Sequence, residues 1–173
     1  MPKNDTLKED CIEREEISMI DDRMFRDAMG KFATGITVVT MEQNRDITGM
    51  TVNAFMSISL DPKLIAISVG EDASMYSPLQ ETKKFGVSIL REDQEQLSMI
   101  FARQIINDQK INYTYQDGVP VIQDTLATIS CSVKDMVKAG DHMIFIAEVT
   151  DLSINEGKPI LYFNGNYQKM NEI

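Results

Sequence analysis

The stretch GMTVNAFMSISLDP, residues 49–62, limits the folds open to this chain more than any other. Successive side chains of an extended chain point to opposite faces. A regular strand here puts Val52, Ala54, Met56 and Ile58 on one face and Thr51, Asn53, Ser57 and Ser59 on the other. The first face is apolar; the second is small, neutral and hydrogen-bonding. A face turned to bulk water usually carries Lys, Glu or Arg, and none occurs before Lys63. The second face is therefore expected to press on something polar that is kept from water. The plainer alternative is a strand that meets solvent or a neighbouring sheet with Ser and Thr.

Similar short extended runs follow one another along the chain. ITVVTM (36–41) is rich in β-branched residues and is joined to the 47–60 run by the turn EQNRD. Asp61-Pro62 breaks that run, and LIAISVG (64–70) is apolar at nearly every position, which predicts a strand buried on both faces. FGVSIL (85–90), ATISCSV (127–133), HMIFIAEVTDLSI (142–154) and ILYFNG (160–165) complete the set. Phe25, Ala28, Met29 and Phe32 have helical spacing, with Gly35 as the stop. Ser77 with Gln80, and Asp93 with Gln96, read as capping boxes that open two more helices. Residues 105–118 are polar and irregular and end in the turn pair Asp117-Gly118. The sum is six or seven strands and two or three short helices on mostly short connections, which suits antiparallel pairing. Helices do not alternate with strands as βαβ units require. A closed or nearly closed antiparallel barrel, mainly β with short helices, removes exposed edges and is the expected fold.

With 173 residues, 43% of them hydrophobic, the chain is expected to form one domain. Residues 1–20 read as a polar, acidic N-terminal extension and 21–173 as the domain. No run approaches the ~18 apolar residues of a membrane helix, and MPKNDTLKEDCIEREE lacks the apolar core of a signal peptide. The expectation is a cytoplasmic protein with no membrane partner. A net charge of −10 repels phosphate backbones, so no nucleic-acid partner is expected. Cys11 and Cys131 are too few for a disulfide framework or a zinc site, and His142 is the single histidine, so no metal is expected. There is no G-x-G-x-x-G, no G-x-x-x-x-G-K-[ST] and no G-x-S-x-G. An enzyme built this way takes its reactivity from a cofactor.

FRDAMGKFATGITVVT (25–40), GMTVNAFMSISLDP (49–62), KFGVSILREDQEQLSMIFA (84–102), DGVPVI (117–122), AGDHMIFIAEV (139–149) and PILYFNGNY (159–167) form an ordered set. In order and spacing the set resembles the flavin reductase-like proteins, whose fold is an FMN-binding split β-barrel. The resemblance implies a homodimer with flavin near the subunit interface. It implies hydride transfer from NADH or NADPH to FMN or FAD, with reduced flavin passed to a partner monooxygenase. Other members of the family keep their FMN and act as electron carriers. Carried over residue by residue, it implies flavin contacts from Thr34, Gly35, Ile36, Thr37, Thr51, Val52, Asn53 and Ala54. Ser57 and Ser74 would lie toward the phosphate, Phe85 and Gly86 beside the flavin. Tyr162 and Tyr167 would wall the nicotinamide pocket, and His142 would be the catalytic residue that orients the nicotinamide cofactor. The matching phosphate-side loop often carries a further hydroxyl and bases in the family; here it carries Met75, Glu71 and Asp72.

Overall fold

The computed structural model describes residues 20–106 and 110–170. All but the last residue of the expected extension, and Cys11 with it, lie outside the described residues. In chain order the elements are α1 (Asp22–Met29), β1 (Thr34–Gly35), β2 (Thr37–Gln43), β3 (Asp46–Val52), β4 (Phe55–Leu60), β5 (Lys63–Gly70) and α2 (Tyr76–Thr82). They continue with β6 (Lys84–Ile89), α3 (Glu95–Phe101), β7 (Tyr113–Gln116), β8 (Val119–Ile122) and β9 (Ala127–Ala139). Last come β10 (His142–Ile154), β11 (Ile160–Phe163) and β12 (Asn166–Lys169).

Seven strands form one antiparallel sheet in the order β3-β2-β6-β9-β10-β5-β4. Its two edge strands, β3 and β4, are separated in the chain by only Asn53 and Ala54. The sheet must therefore curl until its edges meet, which gives a barrel open along one seam. This is the nearly closed antiparallel barrel that the strand pattern anticipates, and the split barrel that the resemblance implies. A second sheet, β1-β11-β12, sits beside it, and β7-β8 is a separate hairpin. That hairpin turns at Asp117-Gly118, so part of the stretch expected to be irregular is strand.

The seam corrects one expectation. Residues 47–60 are two strands, not one. Phe55 N–H donates to the Asn53 carbonyl at 2.9 Å and Ser68 N–H to that of Ala54 at 3.1 Å, while β3 pairs with β2 and β4 with β5. The single parity across the run is therefore lost. Val52 is buried, but Met56 and Ile58 are exposed.

The core lies inside the curled sheet around Phe85, Phe145, Ile67, Val39, Met75 and Leu79, all at most 1% exposed. β5 is buried through Ile65, Ala66, Ile67 and Val69, as its composition predicts. Hydroxyls in this interior have partners. Thr37 Oγ1 donates to the Val52 carbonyl at 2.6 Å, Thr40 Oγ1 to Pro120 at 2.5 Å and Ser130 Oγ to Gln116 at 2.7 Å; Ser88 Oγ accepts from Ile122 N–H at 2.9 Å. Gly86 is required by close approach: any Cβ there would collide with the Pro120 carbonyl.

All three helices depart from their expected ends. α1 is capped by Asp21, whose carboxylate accepts from Met24 N–H at 2.7 Å, and it stops at Gly30 rather than Gly35. α2 begins at Tyr76 behind Met75, with no side-chain cap, because the fully buried Met75 anchors that end. Gln80 Nε2 accordingly donates to the Tyr76 carbonyl instead of completing a box at Ser77. α3 begins after Gln94, because Asp93 is engaged by the Arg91 guanidinium at 2.6 Å and 3.0 Å. A two-bond guanidinium contact outcompetes a helix-end N–H for that carboxylate.

Candidate functional site at the barrel seam

Two depressions meet at Asn53. The larger is an apolar groove of about 610 Å³, lined by Thr34, Ala54, Phe55, Ser68 and Ile144 among others, with Met29 and Phe32 at its rim. Its size falls within the ~300–1,000 Å³ of small-molecule sites. The smaller cleft, about 170 Å³, is lined by Ile36, Thr51, Ser98, Gln104, Tyr162 and Tyr167 among others. Asn53 lines both. The site follows from topology: where β3 breaks off and β4 leaves for β5, neither strand fills the gap.

The polar atoms around the seam are unequally served. Thr51 Oγ1 donates to the Ser98 carbonyl at 2.7 Å. Thr34 Oγ1 is buried without a hydrogen-bond partner. Buried hydroxyls are nearly always paired, and an orphan costs about 1–3 kcal/mol. A χ1 rotation toward the groove that Thr34 lines would give this hydroxyl a ligand partner. An uncharged groove with one orphaned hydroxyl and one shared amide suits a flat, largely apolar ring with polar atoms on its edge. The residues present therefore fit a flavin.

His142 lines neither depression, but it lies on the strand that carries Ile144 of the groove. It is the first residue of β10, paired with Gly70 of β5, and Ile144, which lines the groove, is paired with Ser68. Residues two apart share a face, so His142 sits one pleat, roughly 6–7 Å, beyond Ile144. Its Nδ1 lies 2.7 Å from Asp141 Oδ1. The hydrogen bond from His142 holds the Asp141 carboxyl below the usual carboxylate range. An ionised carboxylate only accepts, so Nδ1 carries a hydrogen, and on a neutral ring Nε2 is the acceptor.

Of the residues singled out from the sequence, Thr34, Ile36, Thr51, Asn53, Ala54 and Tyr162 line the two depressions. Gly35 is exposed and pairs with Leu161. Thr37, Val52, Phe85 and Gly86 are buried in the barrel, where their side positions serve packing. Ser57 lies on the exposed edge strand and Ser74 in the exposed turn before α2. Sequence reasoning missed Ser68, Ile144, Ser98 and Gln104. The first two come from strands whose facing only the sheet order decides.

Residues 29–171 match the family described as flavin reductase like domain. The chain belongs to the flavin reductase-like family. It is 38% identical over 146 residues to the FMN reductase (NADH) SmoA of Agrobacterium fabrum, covering 84% of each chain. It is 35% identical over 147 residues to the 4-hydroxyphenylacetate 3-monooxygenase reductase component of Thermus thermophilus, covering 84% of this chain and 95% of that one. Its backbone superposes on the solved flavin reductase PheA2 with a TM-score of 0.86 at 52% identity, over 88% of this chain and 99% of that one. As a flavin reductase-like barrel, this chain has tied down its acidic loop: Glu71 is ion-paired to Lys138 at 2.6 Å, and Met75 is part of the core. No helix of the described residues is long and apolar enough to cross a membrane.

Proposed function

We infer that the protein is an NADH-dependent flavin reductase that reduces FMN, or FAD in its place, and supplies the product to a partner monooxygenase. The seam carries this reading: a groove of about 610 Å³ with an orphaned Thr34 hydroxyl, which shares Asn53 with the lining of a second cleft. When bound, the flavin supplies the electron sink for a two-electron reduction. The chain supplies position and shelter. Thr51, Asn53 and Ala54 are short and uncharged, so the backbone can lie close to a flat ring. The Asn53 amide offers two donors and an acceptor to a ring edge. Phe55 and Ile144 exclude water, which strengthens those polar contacts. His142, steadied by Asp141, presents Nε2 as acceptor to a nicotinamide carboxamide N–H and so holds the co-substrate in line.

A second copy of the chain completes the groove in this reading. Phe25, Met29 and Phe32 expose 56%, 56% and 77% of their surface, and Met56, Ile58 and Leu60 of the edge strand expose 56%, 44% and 89%. Two unpartnered apolar rows flanking one groove are a natural interface. The reductase unit is taken as residues 21–173, preceded by an extension of residues 1–20.

NADH and NADPH oxidation by purified protein, with and without added FMN, tests the assignment. FMN-dependent consumption of NADH is expected. Yellow protein without turnover would make it an electron carrier instead, and colourless protein that binds no FMN would remove both functions.

A further inference from the structure

The smaller cleft contains a side-chain relay that begins in a helix. Ser98 is fully buried on α3. Its carbonyl accepts from Thr51 Oγ1 at 2.7 Å, and its own hydroxyl lies 3.0 Å from the phenol oxygen of Tyr167 on β12. The helix cannot drift from β3, because the Phe101 ring lies so close to Gly49 that a Cβ there would be 2.8 Å from it. Tyr167 in turn meets Tyr162 edge to face, with ring centres 5.4 Å apart. Tyr162 is anchored to the barrel through its pairing with Thr34. Ser98 is thus the point where the β11–β12 hairpin is fastened to α3 beside the cleft. Two hydroxyls sharing one hydrogen bond leave a donor or acceptor site over, and Tyr167 lines the cleft.

The cleft's size and its other groups narrow what it receives. At about 170 Å³ the cleft has less than a third of the groove's volume, a space suited to one end of a planar ring system. Asn53 and Gln104 line it with amides, each carrying donors and an acceptor. Amides pair best with another amide, and an aromatic pair is a suitable wall for a flat ring.

We propose that Ser98 is a positioning residue that fixes Tyr167 as the wall of a subsite, shared with Asn53 and Gln104, for the amide edge of a planar heteroaromatic ring. The proposal rests on the reductase reading, which supplies two rings with such an edge: the pyrimidine end of the flavin and the nicotinamide carboxamide. Ser98 acts only through Tyr167, so losing both hydroxyls should cost no more than losing one.

The test compares the parent chain with Ser98→Ala, Tyr167→Phe and the double variant. FMN affinity is read by titration of flavin fluorescence, and the KM for NADH and kcat are read at saturating FMN. Thermal unfolding confirms that each variant is folded. Each single variant is expected to weaken one of the two ligands about five- to tenfold with kcat nearly unchanged, the size of one lost hydrogen bond. Ser98→Ala should have no further effect in the Tyr167→Phe background. A rise in the FMN dissociation constant assigns the subsite to the flavin; a rise in the KM for NADH alone assigns it to the nicotinamide. Changes under twofold in both arms, or a full additional loss when Ser98→Ala is placed on Tyr167→Phe, would overturn the proposal. A parent chain that binds FMN and oxidises NADH while the variants match it overturns only this inference. A parent chain that does neither overturns the reductase reading, and this inference with it.

Discussion

The barrel interior and the barrel seam use the same residues to opposite effect. Inside, Thr37, Thr40, Ser88 and Ser130 are each tied to a backbone group of the chain at 2.5–2.9 Å. At the seam, Thr34 has a buried hydroxyl that the chain leaves unmet. The difference teaches that a run of small hydroxyl residues does not by itself mark a ligand face. What marks it is the hydrogen-bond accounting: a group the protein does not satisfy is one that something else can. The apolar residues divide in the same way. Phe85 and Phe145 are fully buried, whereas Phe32 at the seam's rim is 77% exposed.

Substitutions on either side of this divide should behave differently. The largest effect is expected inside: Phe85→Ala should cost about 3–5 kcal/mol in urea unfolding, as a core cavity does. Thr40→Val should cost about 1–3 kcal/mol in the same assay, because it leaves the buried Pro120 carbonyl without its donor. Thr34→Val should not destabilise the fold and should raise its stability by up to about 1–3 kcal/mol, since it removes an orphan, yet weaken FMN binding about fivefold. Equal stability losses at Thr34 and Thr40 would erase the distinction between the two regions. Asp141→Ala should raise the KM for NADH about threefold by freeing the His142 ring. The Asp141 carboxyl titrates lower in the folded chain, so its contact with His142 is in place at neutral pH. That contact is lost only as pH falls through the lowered value. The smallest effect is a null result: in a Cys11→Ser variant, Cys131 should resist iodoacetamide at pH 8 until the protein unfolds. Burial pushes its thiol up to about 12, so folding favours the protonated form; that stabilisation is lost only as pH rises toward that value.

The sequence revealed the strands well because their β-branched runs and turn pairs are local signals. ITVVTM, LIAISVG and the Asp117-Gly118 turn all appear as read. The break at Asn53-Ala54 was hidden, since it depends on β3 pairing back to β2 while β4 pairs onward with β5, a choice of partner and register that the composition of the run does not show. The capping boxes at Ser77 and Asp93 obeyed a local rule that a buried Met75 and the Arg91 side chain override. The candidate site was half legible for the same reason. Thr51, Asn53 and Ala54 sit in one recognisable run, but Ser98 looks like an ordinary helix residue until its partner, Tyr167, is seen 69 positions away.

The most direct test of the central claim is a crystal structure of the purified protein saturated with FMN. The account predicts the flavin ring in the seam groove against Asn53 and Ala54, with the Thr34 hydroxyl turned to it. Flavin bound elsewhere, or a groove closed by the protein's own side chains in the presence of saturating FMN, would contradict it.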